Sequence, residues 1–292
     1  MPLLNKPGQR YVFQPSGAKQ QTIGDYLVKE QNFSKKLVMR IRYHGQILQN
    51  QELRRLKDLI KMDVPLVVVM PEEQRSPSFQ PVAKAITIIY EDTWFLVVDK
   101  PAGLLSIPSH ECNEDSLLQR ALAYCLATHQ CNGSVHIVTR LDQGTSGLVL
   151  IAKSQYAKQQ LQQQKITRAY YACVFGNSQQ ETGVITWPIM RSEGIRRICH
   201  PDGKSADTMY WSYQKGRQRE IVRVVLGTGR THQIRVHLST LGHPLVGDAI
   251  YGQAHKNHPL LQSYYLAFEH PFLKQQYEWE LKLEERLQKA CF

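Results

Sequence analysis

Apolar residues recur with two periods along this chain, and the switches between them sketch most of its secondary structure. AITIIYED and WFLVVDK are short runs crowded with branched and aromatic residues, which predicts two strands joined by a tight turn. LLQRALAYCLATH repeats Leu118, Leu122 and Leu126 at helical spacing. HIVTRLD reads as a strand, QGTSG as a turn and LVLIA as a second strand, after which Ser154 can cap a glutamine-rich helix, QYAKQQLQQQK. ITRAYYACVFG and REIVRVVLG alternate as strands do. RRICH and ADTMYWSYQ flank PDGKS, whose Asp202-Gly203 step predicts a hairpin. THQIRVHLSTL places Ile234, Leu238 and Leu241 on one helical stripe, which Gly242 and Pro244 end. Many strands with few intervening helices predict an α+β fold with a mixed, largely antiparallel sheet.

The beginning of the chain follows a different pattern. Thr22 or Gly24 can start a helix through Tyr26 and Leu27, and Ser34 is placed to cap KKLVMRI, where Leu37, Val38 and Ile41 share a face. Lys35, Lys36, Arg40 and Arg42 project from the other sides of that helix. A turn at HGQ leads to ILQN, and PLVVVM reads as a strand. PEEQRSPSFQPVAK then interrupts the pattern with Pro71, Pro77 and Pro81, as a stiff linker does. The expected division is a small basic unit over 1–71, a linker over 72–84 and a large domain over 85–292.

Composition narrows the class. The 292 residues carry 36 Lys+Arg against 25 Asp+Glu, a net charge of +11, which suits a polyanionic partner. An anionic membrane is the weaker choice, since no apolar run approaches the ~20 residues that span a bilayer. MPLLNKPGQRYVF lacks the apolar core of a signal peptide, so a cytoplasmic protein is expected. The 6 cysteines (Cys112, Cys125, Cys131, Cys173, Cys199 and Cys291) include no C-x-x-C pair, and are read as reduced thiols. No H-E-x-x-H occurs, and His232 and His237 have no carboxylate or cysteine nearby in sequence to complete a site, so no metal is expected.

The candidate chemistry lies in TRLDQGTSGLVLIAK. A strand ending in Arg-Leu-Asp would point Arg140 and Asp142 to one side and Leu141 into the core. A guanidinium close to a carboxylate keeps it ionised, and an ionised, held carboxylate suits covalent attack on a sugar or base carbon. The same residues also fit ordinary turn chemistry with a structural ion pair.

Taken with four further segments, this stretch resembles the RluA family of RNA pseudouridine synthases. RLDQGTSGLVLIAK is similar to the family's active-site signature, with Asp142 at the catalytic aspartate. VVDKPAGLL resembles its Lys-Pro-x-Gly segment, and TRAYYACVFG its K-x-Y-x-A-x-V-x-G, with Arg168 in place of lysine and Tyr170 at the active-site tyrosine. GKSADTMYW is similar to K-x-A-x-T-x-Y, and GTGRTHQIRVHLSTLGHPLVGDAIYG to the late signature, with Arg235 at the arginine that pairs with the aspartate. Thr139 stands where the family commonly has His, and Gly144 where an acidic residue is frequent. The resemblance implies the pseudouridine synthase fold and isomerisation of uridine in structured rRNA or tRNA. It implies no cofactor or obligate protein partner, and a monomer is expected.

Asp142, Tyr170 and Arg235 are then the expected catalytic residues, and Arg140 and Ile234 the expected substrate contacts. The first unit resembles an S4-like RNA-binding domain, with Lys35, Lys36, Arg40 and Arg42 toward RNA. A non-catalytic RNA-binding protein that keeps the fold is the alternative. A glycoside hydrolase ranks last, because that chemistry usually needs two carboxylates flanking the bond.

Overall fold

The computed structural model describes residues 9–17, 20–108, 115–178, 180–252 and 258–292; Cys112 lies outside them. The first elements are β1 (Arg10–Phe13), α1 (Ile23–Lys29), α2 (Lys35–His44), β2 (Gln46–Gln49), β3 (Glu52–Leu53) and β4 (Leu66–Val69). The strands form an antiparallel sheet in the order β1-β4-β2-β3. Thr22 and Ser34 cap the two helices as expected, accepting from the backbone N–H of Asp25 and Leu37. Val38 and Ile41 turn inward from α2, onto a core with Tyr11, Leu27 and Val68.

Between Val69 and Thr87 no helix or strand is described, yet the segment is pinned. Glu73 accepts from Gln155 N and pairs with His136, and Arg75 donates to Gly133 O. Further along come β5 (Thr87–Glu91), β6 (Phe95–Lys100), α3 (Leu117–Ala127), β7 (His136–Ile137), β8 (Ser146–Ala152), α4 (Gln155–Leu161) and β9 (Thr167–Phe175). The remaining elements are β10 (Thr182–Ile185), β11 (Ile189–Arg191), β12 (Arg197–Cys199), β13 (Thr208–Lys215), β14 (Arg219–Leu226), α5 (Gln233–Thr240), β15 (Leu261–Glu269), β16 (Gln276–Glu280) and α6 (Glu285–Cys291).

The large sheet runs β10-β13-β14-β9-β15-β8-β6-β5, with β16 beside β15 and β7 beside β8. Every pairing is antiparallel except β15 with β8. Alternate residues of each strand face opposite layers. Leu96, Val98, Val149, Tyr170 and Val224 pack with Leu122 of α3 and Ile234 and Leu238 of α5. Phe95, Val97 and Leu150 meet Leu161 of α4, while Tyr171, Cys173 and Ile221 meet Leu287 of α6. Burial on both faces explains why β8 is an unbroken apolar run rather than an alternating one.

Two local expectations are corrected. The strand over HIVTRLD stops at Ile137. Val138 N and Thr139 N both donate to Leu150 O, and the Thr139 hydroxyl takes the Leu150 N–H, so the ladder ends there. Arg140, Leu141 and Asp142 therefore sit on a loop. The predicted hairpin through Asp202-Gly203 also fails: β12 pairs with β11, and β13 with β14 and β10. Pro201–Lys204 does turn, with Gly203 N bonded to His200 O. Lys204 and Ile189 then exchange backbone bonds of 2.9 Å, which returns the chain to β11.

Candidate active site

The loop carrying Asp142 is held by the segment that follows β6. The Ser106 hydroxyl donates to Leu141 O (2.6 Å) and accepts from Leu141 N (3.1 Å). Gly103 N and Lys100 Nζ both donate to Gln143 O, at 2.8 and 3.1 Å. Lys100 also donates to Pro101 O and Leu104 O, so its fully buried ammonium ties both loops together. Burial pushes that lysine down to about 8, although nearby Asp142 favours its charged form. Gly147, at the start of β8, has φ +105°, and a Cβ there would lie 2.1 Å from Ser263 O. Only glycine lets β8 and β15 approach this closely beside the loop.

Arg235 comes from α5 on the other side. Its Nε and one terminal nitrogen grip Asp248 at 2.7 and 2.8 Å, and the other terminal nitrogen reaches Asp142 Oδ2 at 3.3 Å. Asp248 is fully buried, which alone would raise its carboxyl. The Arg235 fork and the N–H groups of Ile250 and Tyr251 more than offset this and hold it below the usual carboxylate range. One guanidinium thus serves two carboxylates, and Asp248 aims it at Asp142.

His232 completes the group. It sits at φ +58° at the N-terminus of α5, a left-handed conformation uncommon for this residue. Arg197 N donates to the Tyr251 hydroxyl (2.8 Å), which leaves that hydroxyl's proton for His232 Nδ1, 3.0 Å away. The remaining proton is then on Nε2, which lies 3.7 Å from Asp142 Oδ2. Burial pushes His232 below its ordinary value, so the neutral imidazole prevails at neutral pH. Among the described residues no hydrogen bond reaches Asp142 Oδ1, so one oxygen is held and the other meets no protein donor.

A cavity of about 340 Å³ opens over this carboxylate, whose side chain is 25% exposed. Asp142, Tyr170, Arg235, Arg140 and Ile234 all line it, together with Arg168, Arg230 and His232. The structure brings together five residues that are spread over almost a hundred positions. Its size lies at the lower end of ordinary ligand sites. Burial raises the Tyr170 phenol, so it stays protonated and offers a hydroxyl donor and a ring face. Arg140 is exposed and makes no ion pair with Asp142; the cation that Asp142 meets is Arg235.

The family model for RNA pseudouridylate synthase matches residues 94–240. The chain is 35% identical over 277 residues to the uncharacterized RNA pseudouridine synthase YjbO of Bacillus subtilis, covering 92% of this chain and 97% of that protein. It belongs to the RluA family of RNA pseudouridine synthases. A further relative in this family is the dual-specificity RNA pseudouridine synthase RluA of Vibrio cholerae, 36% identical over 174 residues, 57% of this chain and 68% of that one. Among solved structures, human RNA pseudouridylate synthase domain containing 4 superposes with a TM-score of 0.56 at 22% identity, over 70% of this chain and 91% of its own. The domain containing 1 protein gives 0.53, also at 22%, over 72% and 96%. These two likenesses concern the fold. As an RluA-family pseudouridine synthase the protein is an isomerase that converts uridine in RNA to pseudouridine, which sets aside the non-catalytic alternative.

Several residues in this candidate site escape a reading by sequence motif. Asp248 and Lys100 lie inside matched segments, but their roles depend on contacts across the sheet. In the sequence His232 suggests nothing beyond a metal ligand. Its left-handed backbone and its approach to Asp142 have no one-dimensional signature. Among the described residues no group of three His, Cys, Asp or Glu is placed to hold a metal ion, and no helix is long and apolar enough to cross a membrane. Lys35, Lys36 and Arg42 stand exposed on α2, whereas Arg40 is half-buried and donates to Glu72 O. Arg42 also borders a groove with Arg54, Arg55 and Lys57, a basic cluster that helix periodicity alone does not reveal.

Proposed function

We propose that this protein isomerises uridine in structured rRNA or tRNA with Asp142 as the catalytic carboxylate. The reaction breaks the bond between uracil N1 and ribose C1′, turns the base and joins C5 to C1′; N1 gains a proton and C5 releases one. Attack on the ribose, attack on the base and removal of a sugar proton all need an ionised oxygen at the floor of the cavity. The observation that carries the reading is the unequal state of the two Asp142 oxygens, one facing Arg235 at 3.3 Å and the other without a hydrogen bond among the described residues.

Arg235 holds that charge in place, and Tyr170 supplies a flat face and a hydroxyl to the extracted base. Arg140 and Ile234 contact the nucleoside from the rim and the floor. Arg140 is exposed enough to enter the gap that the uridine leaves in its stack or to grip a phosphate. Turning a base out costs a few kcal/mol, and phosphate contacts to the basic surface help offset it. The S4-like region over 1–71, joined through 72–84 to the catalytic domain over 85–292, adds RNA contacts through Lys35, Lys36, Arg40 and Arg42.

The test combines maps with mutation. Pseudouridine maps of total RNA from cells with and without the protein should differ at one or a few uridines. Asp142→Asn should abolish that isomerisation, at least a thousandfold in release of tritium from uridine C5, while RNA binding persists. Turnover near wild type in this variant would remove Asp142 from the mechanism.

A further inference from the structure

We propose that a second cavity, beside the one over Asp142, is a phosphodiester subsite that grips the RNA backbone next to the target uridine. The inference rests on the reading of the Asp142 cavity as the uridine site. The second cavity holds about 460 Å³ and lies between β11, β12 and the Pro201–Lys204 turn. Gly229, Arg230 and Thr231 line both cavities, so the two share a wall.

Its lining is strongly cationic. Arg191, Arg197, Lys204 and Arg230 surround it; among the described residues its one carboxylate is Asp202, exposed and 3.6 Å from His200 Nδ1. Among the described residues none of the four cations pairs with a carboxylate. The three arginines instead each spend one guanidinium nitrogen on backbone carbonyls. Arg191 Nε donates to Gly194 O, Arg197 to Ile195 O and Arg196 O, and Arg230 Nε to Ser205 O. These bonds orient each guanidinium and leave its other donors for a ligand. Like charges gathered without counter-charges repel one another, and an anion shared between them relieves that cost. Planar forks of this kind match phosphate oxygens.

Position supplies the second argument. Arg197 N is bonded to the Tyr251 hydroxyl, which is bonded to His232, which approaches Asp142 Oδ2. The basic shelf is therefore tied to the reactive carboxylate through one short chain of contacts. A strand whose uridine enters the first cavity carries its neighbouring phosphates across this shelf.

The experiment uses the full chain with Arg191→Gln and Lys204→Gln combined. Its control is Lys215→Gln with Arg217→Gln, an equal charge loss on exposed residues at the far end of β13. The probe is total RNA labelled with 5-tritiated uridine, from cells that lack the protein, in filter binding across a KCl series and in tritium release. Each lost phosphate contact should lower the slope of log affinity against log salt by about 0.7. The shelf pair should thus lose about 1.4 in slope and about tenfold in affinity at 0.15 M salt, as that slope change implies. The control pair should lose less than half as much. Unchanged slope and affinity, or equal losses in both pairs, would overturn the subsite. So would a fall in maximal turnover at unchanged affinity, which would place the shelf's effect on the Tyr251–His232 contact instead. If wild type binds this RNA but releases no tritium, the Asp142 reading fails, and the binding series still decides the subsite.

Discussion

At the scale of single residues the informative group is Arg235. A lone arginine facing Asp142 would be free to swing between solvent and carboxylate. Asp248, fully buried and bonded to two of its nitrogens, removes that freedom. Removing the guanidinium has two consequences that are easily confused. Arg235→Leu leaves Asp248 buried without its charged partner, which costs stability by about 3–5 kcal/mol in addition to any effect on chemistry. Arg235→Lys is the sharper test, since it keeps a positive charge and loses the fork. Its turnover should fall about a hundredfold through misplacement of the Asp142 partner, with a smaller drop in Tm than Arg235→Leu shows. Wild-type turnover in the lysine variant would mean that charge alone suffices.

At the scale of elements the site depends on two loops held by Lys100. Its ammonium titrates near 8 in the folded chain against 10.5 for free lysine, because burial disfavours the charge. As pH falls, the unfolded chain takes up the proton first, so stability declines from about pH 10.5 to about pH 8 and then levels. The gap corresponds to about 3 kcal/mol. Lys100→Met lacks this titration. The unfolding free energy in urea of wild type relative to that variant should therefore rise between pH 8 and 10.5. A flat difference would show that the lysine is no worse solvated than in the open chain.

Elements also show how far the sequence carries. Helix caps at Thr22, Ser34 and Ser154, and strands with strong apolar runs, are legible because their signals are local. The end of the HIVTRLD strand was not, because it turns on the Thr139 hydroxyl meeting Leu150, a partner eleven residues away. The Asp202-Gly203 turn was legible as a turn, but its pairing is set by Ile189. Asp142, Tyr170 and Arg235 could be named from their motifs. Asp248, Lys100 and His232 needed three dimensions, since each acts on a residue remote in sequence.

At the scale of the molecule the net charge of +11 is distributed over at least two basic regions, the shelf beside the site and the α2 face. Tyr156 of α4 packs in the same core as Tyr11 and Phe33, and the Tyr11 hydroxyl lies 2.6 Å from Ser154 Oγ. Deleting the first unit would therefore uncover apolar surface and blur any change in RNA affinity. Substituting Lys35, Lys36 and Arg42 by Gln avoids this. RNA affinity should weaken, with the salt slope reduced by about 2 if each contacts a phosphate. An unchanged slope in filter binding would leave this helix face merely solvated.

The parallel join of β8 to β15 has a consequence for how the enzyme comes to exist. Ser146 meets Gln262 there, a far longer reach along the chain than the β13–β14 and β5–β6 hairpins need. A contact so distant in sequence costs more loop-closure entropy than a local hairpin does. Asp142 lies just before one lip of this seam, and Arg235 arrives from the opposite half of the sheet. Each charge is thus supplied by its own stretch of chain, and the opposed couple exists only where these two remote stretches have been drawn together.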